Sequence, residues 1–188
     1  MAISTYVAVP TLAVGDKLTA ARWNSIGTAL GFLLAPPEAV GTNTAGTSIA
    51  NTTETVVPLA SETVDTGPSY DGAMHDTVTN NSRVTFTTAG RYDVEGYTAW
   101  AANATGYRRL NLRKNAAGVA GAGTLLKAWA NAPANTATDY SYVGLRWTDT
   151  FAAGDYVELF VTQGSGGALA LATGSPNGNY LRVRLVGN

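Results

Sequence analysis

The side chains that could do acid–base or metal chemistry are few in this sequence and lie far apart. There is no cysteine, and the single histidine, His75, lies between Met74 and Asp76 with Asp71 nearby. One histidine without cysteine cannot complete a typical zinc site. A calcium site built from Asp71, Asp76 and backbone carbonyls is conceivable, but we expect His75 to be an ordinary loop residue. We predict no metal site and no cofactor.

Two pairs of carboxylates lie close in sequence, as glycoside hydrolysis would require: Asp93 with Glu95, and Asp155 with Glu158. Asp93 and Glu95 alternate along one predicted strand, on its outward face beside Tyr97, where solvated surface is the ordinary explanation. A serine nucleophile has no Gly-x-Ser-x-Gly motif to support it. We therefore predict no catalytic residues and expect that the protein is not an enzyme.

Aromatic side chains offer a different kind of chemistry, the stacking of sugar rings. Trp100, Trp129, Tyr97 and Tyr107 would form such a platform if they lay on exposed loops. Trp100 ends a strand and shares its alternation with inward positions, so core burial is expected for it. A carbohydrate-binding adhesin or receptor-binding module that contacts host surface glycans is therefore the alternative to a purely structural role.

Charge gives little reason to expect nucleic acid or a membrane as partner. The formal net charge is −1, and only 13% of residues are charged. The densest basic cluster, Arg108, Arg109, Arg113 and Lys114, is divided between two faces by strand alternation, which argues against a phosphate-binding surface. No stretch approaches the roughly 20 apolar residues that a membrane span needs, and no export signal is expected at the N-terminus.

The elements that carry these side chains are predicted to be strands. Gly, Asn and Pro residues separate runs with period-two alternation, such as Leu110 and Leu112 against Arg109 and Asn111. Nine strands are predicted: 54–59, 82–87, 90–100, 107–114, 124–130, 139–150, 156–163, 169–172 and 180–186. This order, without a helix between strands, predicts an all-β antiparallel sandwich.

Two of these strands have bulky side chains on both faces. Val143 and Leu145 lie on one face of strand 139–150, and Tyr140 and Tyr142 lie on the other; Phe160 lies opposite the Val-Leu-Val face of strand 156–163. Large apolar patches are uncommon on the surface of monomers. We therefore predict that Tyr140, Tyr142 and Phe160 lie at a subunit interface.

The N-terminal region follows a different pattern. Trp23, Ile26, Leu30 and Leu33 recur at helical spacing within residues 19–34, and Pro36-Pro37 ends the pattern. Glycines weaken this helix, so its apolar seam should need a partner surface. The predicted organisation is an extended segment and helical anchor (1–37), a linker of small polar residues (38–52) and a sandwich domain (53–188).

Four segments together resemble the C1q/tumour-necrosis-factor-like jelly roll. They are FTTAGRYDVEGY (Phe86–Tyr97), RRLNLRKN (Arg108–Asn115), FAAGDYVELF (Phe151–Phe160) and YLRVRL (Tyr180–Leu185). The segment Tyr70–Arg83 is similar to one that precedes this domain in structural proteins of tailed bacteriophages. Val14–Asn24 is similar to the opening of phage minor head or tail proteins.

The resemblance implies an antiparallel jelly-roll sandwich that assembles as a homotrimer. It further implies a virion location, as a head fibre, decoration or tail-associated protein. Phage capsid or tail proteins would then be the partners of the N-terminal segment. The predicted function is a non-enzymatic structural protein of the particle.

Overall fold

The computed structural model describes residue 13 and residues 15–17, 19–66, 73–132, 138–173 and 178–187. One helix, α1, spans Ala20–Leu34 and precedes all the strands. The strands of the described residues are β1 (Glu38–Asn43), β2 (Ser48–Ile49), β3 (Thr55–Val56), β4 (Ser61–Thr66), β5 (Arg83–Thr85), β6 (Gly90–Trp100), β7 (Arg108–Lys114), β8 (Thr124–Asn131), β9 (Ser141–Phe151), β10 (Tyr156–Gln163), β11 (Leu169–Ala170) and β12 (Asn179–Gly187).

These strands form two antiparallel sheets packed face to face. The first sheet has the order β4-β1-β12-β6-β9; the second has the order β3-β10-β7-β8, with β5 also paired to β10. A short pair, β11 with β2, lies beside them. Neighbours in the first sheet are far apart in sequence, as when β1 pairs with β12. The predicted all-β jelly-roll sandwich is confirmed.

The core between the sheets consists of the inward positions of both. Val94 and Val183 are buried from the first sheet, and Leu112 and Leu159 from the second. One end of the core is aromatic, because Phe86 stacks on Phe151 with ring centroids 4.1 Å apart. Alternating side chains of the predicted strands therefore do enter one shared core, which fixes the direction of the opposite, outward side chains.

The predicted linker over residues 38–52 is wrong. Strand β1 occupies Glu38–Asn43 and pairs with both β12 and β4, so the jelly roll begins at residue 38 and not at 53. The strand has small buried residues because space is short: a Cβ on Gly41 would lie 3.0 Å from Leu59 Cδ1 and 3.1 Å from His75 Nε2. Strands are recognised in sequence by large apolar residues at every second position. The small residues of β1 do not show this pattern, so the strand was not predicted.

Helix α1 confirms the predicted helix and its ends. The Thr19 side chain accepts a hydrogen bond from the Arg22 backbone N–H at 3.3 Å, and the helix ends at Leu34, two residues before Pro36. The seam is largely uncovered, since Trp23, Leu30 and Leu33 are exposed and only Ile26 is partly buried. Within the described residues, α1 lacks the length and hydropathy required to span a membrane.

Candidate functional site: the outer face of the first sheet

Three tyrosines lie side by side on the outer face of the first sheet, and we call them the tyrosine face: Tyr97, Tyr142 and Tyr180. Tyr97 of β6 is paired in register with Tyr180 of β12. The ring centroids of Tyr97 and Tyr180 are 5.7 Å apart, and those of Tyr97 and Tyr142 are 5.9 Å apart, with both pairs stacked. The result is an aromatic surface that crosses three adjacent strands.

Gly144 makes this stacking possible. It is the residue of β9 directly opposite Tyr97, and a Cβ at this position would lie 3.2 Å from Tyr97 Cδ2. Without a side chain at Gly144, the Tyr97 ring lies flat and reaches Tyr142, the diagonal neighbour two residues along β9. Tyr140 extends the surface further, since it meets Tyr142 edge to face at 6.4 Å.

Charged residues occupy the other half of the same face. A cleft of about 320 Å³ is lined by Asp93, Glu95, Arg146, Arg182, Arg184, Leu185 and Val186. Arg182 Nε lies 2.7 Å from Glu38 Oε1, and Arg146 Nη2 lies 3.5 Å from Asp93 Oδ2. An aromatic centre beside a polar, ion-paired region is the composition of a protein interface.

Tyr180 joins the aromatic and charged halves. Its hydroxyl donates to Glu95 Oε1 at 2.7 Å. Burial, together with this hydrogen bond and the charge of Glu95, raises the pKa of Tyr180 to about 12 from 10.0. Because the folded state holds the phenol proton more tightly than the unfolded chain, the stability from this contact is fully present below pH 10 and is lost between pH 10 and 12.

The Glu95→Gln variant is expected to lower the pKa of Tyr180, since the amide lacks the negative charge that opposes ionisation. The measurement is the alkaline titration of tyrosinate absorbance. The unmodified protein should show one tyrosinate step at higher pH than the others. This step should vanish in Tyr180→Phe and move to lower pH in Glu95→Gln. A highest-pH step that is unchanged in both variants would contradict the assignment.

An apolar edge lies next to the tyrosine face. Trp129 of edge strand β8 is paired with the core residue Leu110, yet it remains 55% exposed because the sandwich is open at this edge. Asn131 Nδ2 donates to the Tyr142 backbone oxygen at 3.2 Å and links β8 to β9. Trp129 therefore exposes an aromatic side chain on the β8 edge, and Asn131 of the same strand is bonded to the backbone of Tyr142 in the tyrosine face.

The residues predicted for a subunit interface have different positions. Tyr140 and Tyr142 are exposed on the outer face, as an interface requires. Phe160 is fully buried within the single chain, where Arg113 lies 5.8 Å from its ring centroid, so its assignment to an interface is wrong. Tyr97 and Tyr180 share this outer face with Tyr142, although neither was predicted as part of an interface. Alternation would have placed both on the outward face of their strands.

The predicted sugar platform is not assembled as one surface. Trp100 is fully buried, which confirms the expectation of core burial for this residue. Tyr97 lies on the first sheet, whereas Tyr107 lies beside the start of β7 in the second sheet, against Gly164. Trp129 lies on the β8 edge. The four residues therefore do not form a common stacking surface.

The candidate carboxylates are engaged in local contacts. Asp93 accepts a hydrogen bond from Thr148, and Glu95 accepts from Tyr180. Burial alone would raise the pKa of Asp155, but hydrogen bonds and the charge of Lys114 hold this pKa below its ordinary value. Glu158 is buried and accepts from Ser82 at 2.7 Å. Each of these side chains has a partner that explains its position in the fold.

The histidine and the possible calcium ligand also have local partners. His75 is buried, not a solvated loop residue; its Nδ1 lies 3.0 Å from Glu62 Oε2 and its Nε2 lies 3.2 Å from the Asn81 backbone oxygen. Asp76 accepts hydrogen bonds from the backbone N–H groups of Val78 and Thr79. Asp71 lies outside the described residues. Among the residues that are described, no three His, Asp or Glu side chains form a metal-binding group.

Solved structures with the same fold decide the architecture. The chain is similar to Eiger TNF from S. frugiperda, with a TM-score of 0.58 and 15% identity over 81% of this chain and 93% of that one. It is also similar to murine APRIL, with a TM-score of 0.56 and 13% identity over 80% of this chain and 98% of that one. The fold is a TNF-like jelly roll. No family model and no curated protein sequence matches the chain.

Proposed function

We propose that this chain is a non-enzymatic structural protein of a tailed-bacteriophage particle, a trimeric fibre or decoration protein attached through its N-terminal helix. The observation that carries the proposal is the uncovered apolar seam of α1, in which Trp23 is 63% and Leu33 is 62% exposed. A short helix with such a seam is stabilised by packing against a partner. The similarity of Val14–Asn24 to the opening of phage head or tail proteins supports a particle protein as that partner.

The tyrosine face supports the trimer. Three copies related by a threefold axis meet through two different patches on each subunit, since such a contact is heterologous. The tyrosine face and the Trp129 edge are two adjacent apolar patches of this kind. Aromatic residues contribute much of the binding energy in protein interfaces. In the proposed trimer, the tyrosine face of each subunit lies near the threefold axis and packs against the Trp129 edge of the neighbouring subunit.

The proposed location is tested on purified phage particles. Mass spectrometry of particles from a density gradient should detect the chain in a copy number divisible by three. Immunogold labelling against the jelly-roll domain should mark one site on the particle surface, and that site identifies head, neck or tail. Absence of the chain from infectious, gradient-purified particles would reject the virion assignment.

A carbohydrate-binding adhesin or receptor-binding module remains the second candidate function. The observation that favours it is Tyr107, whose ring is 40% exposed on the second sheet, away from the tyrosine face. Exposed tyrosine next to polar side chains is typical of saccharide-binding surfaces.

A further inference from the structure

A groove of about 300 Å³ lies on the outer face of the second sheet. Its floor follows β7, where Arg109 and Asn111 alternate outward, and Thr162 of β10 adjoins them. Tyr107 and Leu125 line the groove with apolar surface. This combination of apolar sides with a few converging polar groups is the usual construction of a small-ligand site.

Two polar groups in this groove have unused bonding capacity. Asn111 is buried, and its Nδ2 donates to Glu54 Oε1 at 2.6 Å, but its buried Oδ1 accepts no hydrogen bond from the described residues. Arg109 is exposed and makes no ion pair with any described residue. Asn111 Oδ1 is buried out of reach of the groove, so Arg109 is the group of the two that is open to a ligand.

The charge balance of the groove is positive. Arg113 Nε lies 3.1 Å from Glu54 Oε1, so these two charges neutralise each other. Burial alone would raise the pKa of Glu54, but hydrogen bonds from Asn111, Arg113 and the Gly121 backbone N–H hold this pKa below its ordinary value. Glu54 is thus ionised near neutral pH, and Arg109 is the uncompensated charge. An anionic group is the ligand feature that Arg109 would bind.

The apolar side of the groove is held firmly in place. The Tyr107 ring lies against Gly164, where a Cβ would come within 2.5 Å of the ring. The neighbouring Gly106 has φ +79, and a Cβ there would collide with the Gly164 carbonyl group. Thr52, which also lines the groove, has φ 58, an uncommon conformation for a β-branched residue.

From these contacts we propose that the groove binds an acidic saccharide through a uronic acid residue. The uronate carboxylate pairs with the Arg109 guanidinium, the geometry that arginine favours. The sugar hydroxyls exchange hydrogen bonds with Thr162, and the apolar face of the sugar ring packs on Tyr107. A neutral sugar would leave Arg109 unpaired, and a simple carboxylate would leave Thr162 and Tyr107 without contacts.

The groove and the tyrosine face are on opposite sides of the sandwich. Arg109, Asn111 and Thr162 point outward from the second sheet, whereas the tyrosine face belongs to the first. In the proposed trimer the tyrosine face, and not the groove, is the surface that lies near the threefold axis. Saccharide binding does not depend on the virion assignment, so either proposal can fail without the other.

The test is binding of trigalacturonic acid to the full-length chain, followed by NMR saturation transfer and calorimetry. Maltotriose serves as the neutral saccharide and acetate as the simple carboxylate. We expect trigalacturonate to bind, and the Arg109→Gln variant to bind it roughly tenfold more weakly or worse. The matched control is Arg91→Gln, which removes one exposed arginine from the first sheet and should bind as the unmodified chain does.

A second variant guards against a folding defect in the first. Thr162→Val keeps the shape of the side chain and replaces its hydroxyl by a methyl group. The affinity for trigalacturonate should therefore fall several-fold while the circular dichroism spectrum stays unchanged. Equal binding of maltotriose, competition by acetate at equal molarity, or full affinity in Arg109→Gln would each overturn the proposal. So would the failure of trigalacturonate to bind the unmodified chain at millimolar concentration.

Discussion

The Tyr142→Asp variant is expected to be a folded monomer, whereas the unmodified chain is expected to sediment at three times its chain mass of 19.4 kDa. Tyr142 is 38% exposed in the single chain and stacks on Tyr97, so its ring is available to a neighbouring subunit. In a closed trimer, three copies of the aspartate would be buried, and none would have a partner of opposite charge. An unpaired buried charge costs several kcal/mol, enough to weaken assembly by roughly a hundredfold or more.

Two matched variants separate the interface effect from a folding effect. Tyr142→Phe keeps the stacked ring and should remain trimeric. Val119→Asp places the same charge at an exposed loop position far from the tyrosine face and should also remain trimeric. Analytical ultracentrifugation gives the mass, and circular dichroism gives the fold. An unmodified chain that sediments as a monomer, or a trimeric Tyr142→Asp, would reject the proposed interface.

Long alternating strands were the part of the fold that the sequence predicted best. The predicted bounds 90–100 and 156–163 agree with β6 and β10, because apolar residues alternate within both strands, as Tyr92 and Val94 do in β6 and Val157, Leu159 and Val161 do in β10. Such a pattern is strong because every inward position fills the same core. The jelly-roll class followed from the order of these strands and from the motifs within them.

The missed strands share a physical cause. In β1, close packing against Leu59 and His75 demands small residues, so the strand resembles a linker in sequence. In β4, an edge strand, every side chain except Val64 is polar or charged, as is common where a free edge must resist pairing with other chains. Neither tight packing nor an edge position is visible in a single sequence before the topology is known.

The functional surfaces were only partly predictable for a similar reason. Alternation places Tyr142 outward correctly, but it also places Phe160 outward, and it cannot show that other parts of the chain cover Phe160. The saccharide groove is invisible in sequence, because Glu54 reaches Asn111 and Arg113 across 57 and 59 residues. Alternation in a sequence predicts which face of the sheet a side chain lies on. A site also depends on which residues from distant parts of the chain contact that face, and alternation does not show this.

Removal of residues 1–35 is expected to leave a folded trimer that no longer associates with particles. The cut lies before Pro36 because Pro37 already contacts the jelly roll. Pro37 is buried, and its carbonyl accepts a hydrogen bond from the Leu185 N–H at 2.9 Å. A cut after residue 37 would remove this contact and confuse attachment with stability. The two trimer surfaces lie wholly within the jelly roll, so the oligomer should persist.

The size of the attachment effect follows from the seam that the deletion removes. Trp23, Leu30 and Leu33 are exposed, and their burial against a particle protein would contribute about 1.5–3 kcal/mol each before ordering costs. Loss of all three is sufficient to abolish stable association. The same result is therefore expected for a full-length chain in which these three residues are replaced by serine. A chain with Ala21→Ser, an exposed helix position off the seam, is the matched control.

The decisive measurement is the amount of each variant that co-sediments with particles after complementation of a phage lacking the gene. The truncated and triple-serine chains should be absent from the particle fraction while the Ala21→Ser chain is present at normal occupancy. Normal occupancy of the truncated chain would place the attachment site in the jelly roll. Loss of the truncated chain but retention of the triple-serine chain would instead assign attachment to other parts of residues 1–35, because the triple-serine chain keeps that whole segment except for the three seam side chains.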